Sequence, residues 1–422
     1  LDGDASLRGL AVTLAGSGRD LLARCDALAA ISSQADGLTR LSFTDEHRQA
    51  NALVSGWMRA AGLSVTTDAI GNLVGRYEGL DPGAPALMIG SHLDTVRDAG
   101  RYDGMLGVVA GIAAMAEWSR AGIRKLFAVE IVGFADEEGT RFQSTLLGSR
   151  AVAGTFDAAA LSARDGAGLS LGDAMRDFGL DPDRIGTAAR KPGDLVGYVE
   201  LHIEQGPVLD AKAASVGIVT AIAGATRCTI RVGGQAGHAG TVPMDLRRDA
   251  LAGTAEMVLA VERIARAHPG LVGTVGRIGA RPGAVNVIPG EAEFSVDVRS
   301  GSDDLRKAGF AELLSVFSGI AVRRGLTMAY DVTHDAPACV CDDRLIDRLS
   351  EAARAEGHDV ILLPSGAGHD AMAFSGLTPV GMIFVRCTAG ISHNPAEAIT
   401  AEDAGAGLGV LMRFLNDFEG TL

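Results

Sequence analysis

Four short apolar runs, Ala86–Gly90, Val129–Phe134, Gly197–Leu201 and Val380–Val385, recur along this chain of 422 residues, each bounded by Gly, Pro or polar turns. Runs of that length, largely apolar and in part β-branched rather than apolar at alternate positions, are expected of strands buried on both faces. Helical patterns lie between them. Arg48–Ala60 is amphipathic, whereas Gly104–Trp118 is apolar almost all round, as a buried helix would be. Strands alternating with helices predict an α/β chain with a largely parallel central sheet flanked by helices.

The texture changes between residues 217 and 335. Thr226–Val232 and Glu293–Arg299 alternate apolar and polar residues, the mark of strands with one wet face, and helical patterns occupy Leu246–Ala267 and Asp304–Arg324. This stretch reads as a smaller inserted α+β domain. Residues 1–216 and 336–422 would then form one discontinuous domain, with hinges near Ala214–Gly217 and His334–Pro337.

Composition narrows the function classes. Lys plus Arg number 38 against 52 Asp plus Glu, a net charge of −14, which disfavours a phosphate-backbone partner. Apolar stretches such as Ala371–Val385 are broken by Gly and Pro, short of the roughly 18 residues a spanning helix needs. The five cysteines are scattered, with only Cys339 and Cys341 close together, so no disulfide framework or thiolate metal module is expected. Cys387 reads as core, and the cytoplasm is the default compartment. Leu1–Asp4, which lacks an initiator Met, is set aside.

Ligands of open α/β sheets gather beyond the carboxyl ends of the strands. Ala86–Gly90 runs into Ser91, His92, Leu93 and Asp94; Val129–Phe134 runs into Ala135, Asp136, Glu137 and Glu138. The third strand carries His202 and Glu204 at its end, and the fourth is followed by His393. With Asp103, which opens the buried helix, three histidines and several carboxylates are aimed at one rim. Such donors suit zinc, cobalt or manganese, and burying so many carboxylates without positive charge would be prohibitive. Asp94, two residues after His92, is placed to orient that imidazole. Asp103 is placed to bridge two ions, with one of the paired glutamates left as a general base.

The segments Gly90–Thr95, Tyr102–Gly104, Asp136–Gly139, Glu200–Pro207, Gly237–Met244, Val285–Gly290 and Ser365–Ala371 together resemble the hydantoinase/carbamoylase amidase family, over about residue 20 to the C-terminus. The resemblance implies a dinuclear metal site, with His92, Asp103 and His202 on one ion and Asp103, Glu138 and His393 on the other. The ions would be zinc or manganese, with cobalt or nickel also suitable. It implies Glu137 as catalytic base, and a ferredoxin-like lid and dimerisation domain. From that domain His238 would reach the partner subunit's site in a homodimer and stabilise the oxyanion. Asn286 and Arg299 resemble substrate-binding residues, and Gln205 and His369 would line the pocket.

Alternatives remain at the residue level. Arg299 ends an alternating strand and equally suits a surface ion pair; Asn286 precedes Ile288-Pro289-Gly290 and equally shapes a turn; His238 lies in a Gly-rich loop that equally forms a hairpin. Gly233, Gly234 and Gly237 do not have the spacing of a phosphate cradle. Residues 94–104, 138–145 and 384–393 resemble the family members that act on allantoate, so that substrate is expected. N-carbamoyl-L-amino acids, N-carbamoyl-β-alanine or ureidoglycolate are the alternatives, with aminoacylase or peptidase chemistry more distant.

Overall fold

The computed structural model describes residues 17–421; Leu1–Asp4 lie outside them. The described chain divides into two compact units, one comprising residues up to 220, 341–363 and 367–422, the other residues 221–340 and 364–366. The changes of unit after 220 and 340 fall a few residues beyond the hinges read from the sequence, whereas the return of residues 364–366 to the second unit was not expected.

The first unit is built on a mixed sheet whose centre is parallel. Ala128–Phe134, Ala86–His92, Leu195–Ile203 and Val380–Val385 lie side by side in that order, all parallel. Antiparallel strands flank them: Leu73–Tyr77 and then Ser64–Thr67 on one side, Val216–Ile222 on the other. Of these, Ser64–Thr67 and Leu73–Tyr77 are short and lack the uniform apolar texture of the centre, whereas Val216–Ile222 is as apolar and buried as the central strands and was passed over in the sequence because it lies at the expected hinge. The four central strands are buried at every position but one, Val196.

Helix Met105–Ala121 packs on this sheet through the side that carries Gly107 and Gly111, and Leu106, Val109, Ile112 and Met115 are all fully buried. It lies so close that a Cβ on Gly107 would come within 2.2 Å of the Leu201 carbonyl oxygen. Helix Asp45–Ala60 starts three residues before the expected Arg48, because the Thr44 hydroxyl accepts the His47 N–H and the acidic Asp45 and Glu46 suit a first turn. Among the described residues no helix is long and apolar enough to cross a membrane.

In the second unit, Ile278–Arg281, Glu291–Ser300, Gly224–Gly233 and Thr327–Ala336 form an antiparallel sheet, with Val272–Thr274 also pairing on Glu291–Ser300. The period-two pattern has its expected consequence. Cys228, Ile230, Val232, Phe294, Val296 and Val298 face helices Ala250–Ala267 and Asp303–Arg324, where Met257, Val261, Leu313 and Phe317 complete a separate core. The intervening Arg227, Thr229, Ser295, Asp297 and Arg299 take the other face. The first helix begins at Ala250 rather than near Leu246 because Asp249 caps it through the Ala252 N–H.

Candidate metal centre

Because the four central strands are parallel and adjacent, their carboxyl ends fall on one rim. His92 is the last residue of its strand and His202 the last but one of its own. Residues 135–138 follow Phe134, and His393 stands on the loop after Val385. Asp103 reaches the same place from the start of the buried helix. Gly104 between them has φ +75°, and a Cβ there would lie 2.5 Å from the His92 ring, so the turn requires glycine.

Asp103 is the hub. Its Oδ1 lies 3.6 Å from His92 Nε2 and 3.2 Å from His202 Nε2, and its Oδ2 lies 3.1 Å from His393 Nε2. His393 Nε2 is in turn 3.6 Å from Glu138 Oε1. Donor atoms of His92, Asp103 and His202 lie within 4.8 Å of one another, as do those of Asp103, Glu138 and His393 and those of His92, Glu137 and Glu138.

The histidine tautomers sharpen this geometry. His92 Nδ1 is 2.9 Å from the Asp94 carbonyl oxygen and His202 Nδ1 is 2.9 Å from the Ile203 carbonyl oxygen. A carbonyl only accepts, so each Nδ1 carries a proton, and in the neutral ring the Nε2 facing Asp103 is a lone pair, which on His202 also accepts the Gly104 N–H at 3.3 Å. Such a lone pair facing a carboxylate oxygen repels it unless a cation, either a proton on Nε2 or a metal ion, lies between them. The donor set thus fits divalent ions.

The charge balance agrees. Burial opposes charge on His92 and His202, yet contact with Asp103 outweighs it and holds both imidazoles above their ordinary range. Burial likewise works against the Asp103 carboxylate, but His202, His393 and His92 hold it well below the usual range. Burial pushes Glu137 well up, with His92 opposing and Glu138, Asp370 and Asp94 adding to the rise. Glu138 is pushed up to about 7, by burial first and then by Asp103. His393 rises to about 9, chiefly through its hydrogen bond with Asp103. Protons are held wherever positive charge is short, as expected of a carboxylate-rich site suited to cations.

Supporting residues fix the rim. The Asp94 carboxylate accepts the backbone N–H of Glu137 at 3.1 Å and of Glu138 at 3.2 Å, so it ties the two acidic strand ends together. Its nearer contact with the His92 ring is through its carbonyl, since its carboxylate is 3.9 Å from Nδ1. Gln205, with φ +56°, donates to Asp103 Oδ2 at 3.0 Å. The buried His369 ring packs edge-on to His202 at 4.5 Å, and burial, then His202, holds it well below its ordinary range.

Sequence reasoning missed four supports. Asn72 accepts the Ala135 N–H and donates to the Gly148 carbonyl, latching the start of the acidic loop. Arg40, fully buried, donates to the Leu93 carbonyl at 2.7 Å. Glu200 accepts from Ser91, Tyr198 and the Ala371 N–H. Glu397 accepts the N–H groups of Tyr102 and Asp103. Only Glu200 had a signal, a carboxylate in an otherwise apolar strand; the others follow from contacts across 50 to 300 positions, which no local pattern reveals.

His238, Asn286 and Arg299 belong to the second unit. His238 and Asn286 are neighbours there: strand Gly237–His238 pairs with Val287–Ile288, and the Ala239 N–H donates to the Asn286 carbonyl at 3.0 Å. Both side chains are exposed. The Arg299 guanidinium donates through Nε and Nη2 to both oxygens of Asp297, at 2.8 and 3.0 Å, and through Nη1 to the Gly366 carbonyl.

A rim of histidines and carboxylates at the end of a parallel sheet, converging on one shared aspartate, defines a protein built to hold divalent cations. The chain belongs to peptidase family M20/M25/M40, whose family model matches residues 88–417. It is 44% identical to an N-carbamoyl-L-amino acid amidohydrolase of Geobacillus stearothermophilus, over 89% of this chain and 92% of that one. It is 40% identical to an allantoate deiminase of Arabidopsis thaliana, over 94% and 81%. A solved hydantoinase/carbamoylase family amidase from Burkholderia multivorans superposes with a TM-score of 0.89 at 34% identity, over 94% and 97%. The protein is, with these relatives, a hydrolase of carbon–nitrogen bonds.

Proposed function

We propose that the protein is a two-metal amidohydrolase that cleaves the ureido group of a small carboxylate-bearing substrate, with allantoate its principal substrate. The observation that carries the reading is the convergence of His92, His202 and His393 Nε2 on the one Asp103 carboxylate, at 3.6, 3.2 and 3.1 Å. His92, Asp103 and His202 would hold one ion, and Asp103, Glu138 and His393 the other, with zinc or manganese the expected occupants. Bound divalent ions polarise a carbonyl and lower the pKa of water.

Glu137 takes a proton from the attacking water and delivers it to the departing nitrogen. Hydrolysis of allantoate then balances as one water consumed, with ureidoglycine, ammonia and carbon dioxide released. Arg299 grips the substrate carboxylate and Asn286 completes its binding, with Gln205 and His369 lining the pocket; Asp297 already orders the guanidinium for a planar ligand. His238, supplied by the partner of a homodimer, stabilises the oxyanion.

Coverage by the Arabidopsis thaliana deiminase supports allantoate. The higher identity to the Geobacillus stearothermophilus enzyme favours a second reading, N-carbamoyl-L-amino acids. Manganese- and zinc-loaded protein should be given allantoate, N-carbamoyl-L-amino acids and an N-acetyl amino acid, with ammonia and freed amino acid measured in parallel. Ammonia chiefly from allantoate is the expected result. Ammonia chiefly from the carbamoyl compounds moves the substrate and keeps the mechanism; amino acid from the acetylated compound without ammonia from any overturns the ureido reading.

A further inference from the structure

Glu397 is a buried carboxylate, 4% exposed, and no Lys or Arg pairs with it among the described residues. An unpaired buried carboxylate is costly unless donors converge on it. Three do. Its Oε1 accepts the backbone N–H of Tyr102 at 2.8 Å and of Asp103 at 3.2 Å, and its Oε2 accepts the Ser392 hydroxyl at 2.8 Å. Residues 100–104 lie in neither strand nor helix, so this side chain does for their N–H groups what a ladder partner does in a sheet. Gly100 leaves the room: a Cβ there would lie 2.1 Å from the Glu397 carboxyl carbon.

The two ends of this bridge are the residues that matter at the rim. One end is the backbone of Asp103, the carboxylate shared by both histidine sets; the other is Ser392, immediately before His393. We propose that Glu397 is a positioning residue of the cation centre, clamping the Asp103 turn to the His393 loop and so fixing the span between the two groups that face one another at 3.1 Å. This rests on the two-metal reading above. Removal of groups that orient metal ligands typically weakens metal binding about 10–100-fold.

The test uses two readouts on the full chain: amide hydrogen exchange of residues 100–104 in metal-free protein, and Mn²⁺ affinity and stoichiometry by titration calorimetry. In Glu397→Ala the Tyr102 and Asp103 amides should exchange faster and Mn²⁺ binding should weaken about 10–100-fold. Glu397→Gln keeps an acceptor oxygen for those amides and a donor toward Ser392, and should restore both readouts to near wild type. Unchanged exchange, unchanged Mn²⁺ affinity, or a Gln variant as impaired as Ala each overturns the clamp. A wild-type chain that binds no Mn²⁺ sinks the cation reading and this role together, which separates the two failures. Should Glu397→Ala not fold, Ser392→Ala cuts the link to the His393 loop, together with the 3.3 Å bond that Ser392 accepts from Gln205; weaker Mn²⁺ binding is then expected, with Gln205→Ala, which spares Glu397, binding more tightly than Ser392→Ala, and wild-type affinity of Ser392→Ala overturns the proposal.

Discussion

At the scale of single residues, the two adjacent glutamates have different surroundings and so different expected roles. Glu138 lies within reach of His393 and, with Asp103, completes a donor set, whereas Glu137 groups with His92 and Glu138; burial raises both acids. Both backbones hang from the same Asp94 carboxylate, so the pair cannot shift independently. Glu137→Gln keeps the shape and removes the proposed base. It should retain metal stoichiometry, measured by elemental analysis, and lose about 10²–10⁴-fold in turnover. A variant with wild-type turnover would mean that the base lies elsewhere.

At the scale of elements, the buried centre was legible and the edges were not. Val380–Val385 was read with its observed bounds, and the other three central strands extend the expected runs by one to four residues, far enough that His92 and His202 stand inside strands rather than after them. Continuous burial writes a continuous apolar run; Ser64–Thr67 is largely exposed and carries no such mark. Asp103, Glu138 and the histidines were legible because topology alone brings strand ends together, while Asn72, Arg40 and Glu397 act through folded backbone groups that a sequence does not display. The close seat of helix Met105–Ala121 yields a prediction. In Gly107→Ala the new methyl meets the Leu201 backbone, which cannot swing aside as a side chain would. The helix should ride outward, costing about 1–3 kcal/mol in urea unfolding and weakening Mn²⁺ binding, since Leu201 adjoins His202 and the helix start adjoins Asp103. A variant with unchanged stability would show that the packing has slack.

At the scale of the whole molecule, acid should unfold the metal-free chain partly through His47. This ring is fully buried against Phe43 and Phe178, accepts the Phe43 N–H, and is pushed down to about 3 by burial first and then by Arg40 and Arg48. With the folded value depressed, the unfolded chain takes the proton first as pH falls below the usual histidine value. Its contribution is present above about pH 6.5 and is lost toward pH 3, at up to about 1.4 kcal/mol per pH unit. Asp68 acts in the opposite sense: burial raises it to about 6, so the folded chain takes that proton first between about pH 6 and 4. The histidine shift is the larger, and His47→Asn, which keeps an acceptor for Phe43, should flatten the fall in urea midpoint between pH 6.5 and 4; an unchanged slope would place the acid sensitivity in the carboxylates of the rim. Assembly gives a second molecular test, since under the proposed trans role of His238 each site would be the property of two chains. Glu137→Gln and His238→Ala homodimers should each be nearly inactive. After mixing and reassortment, half the dimers pair the two variants, and in each of these one site combines an intact Glu137 with the partner's intact His238. Activity should therefore recover to about a quarter of wild type. Mixtures that stay as inactive as their parents, despite exchange of subunits followed by mass spectrometry, would require His238 to act on its own chain or not at all.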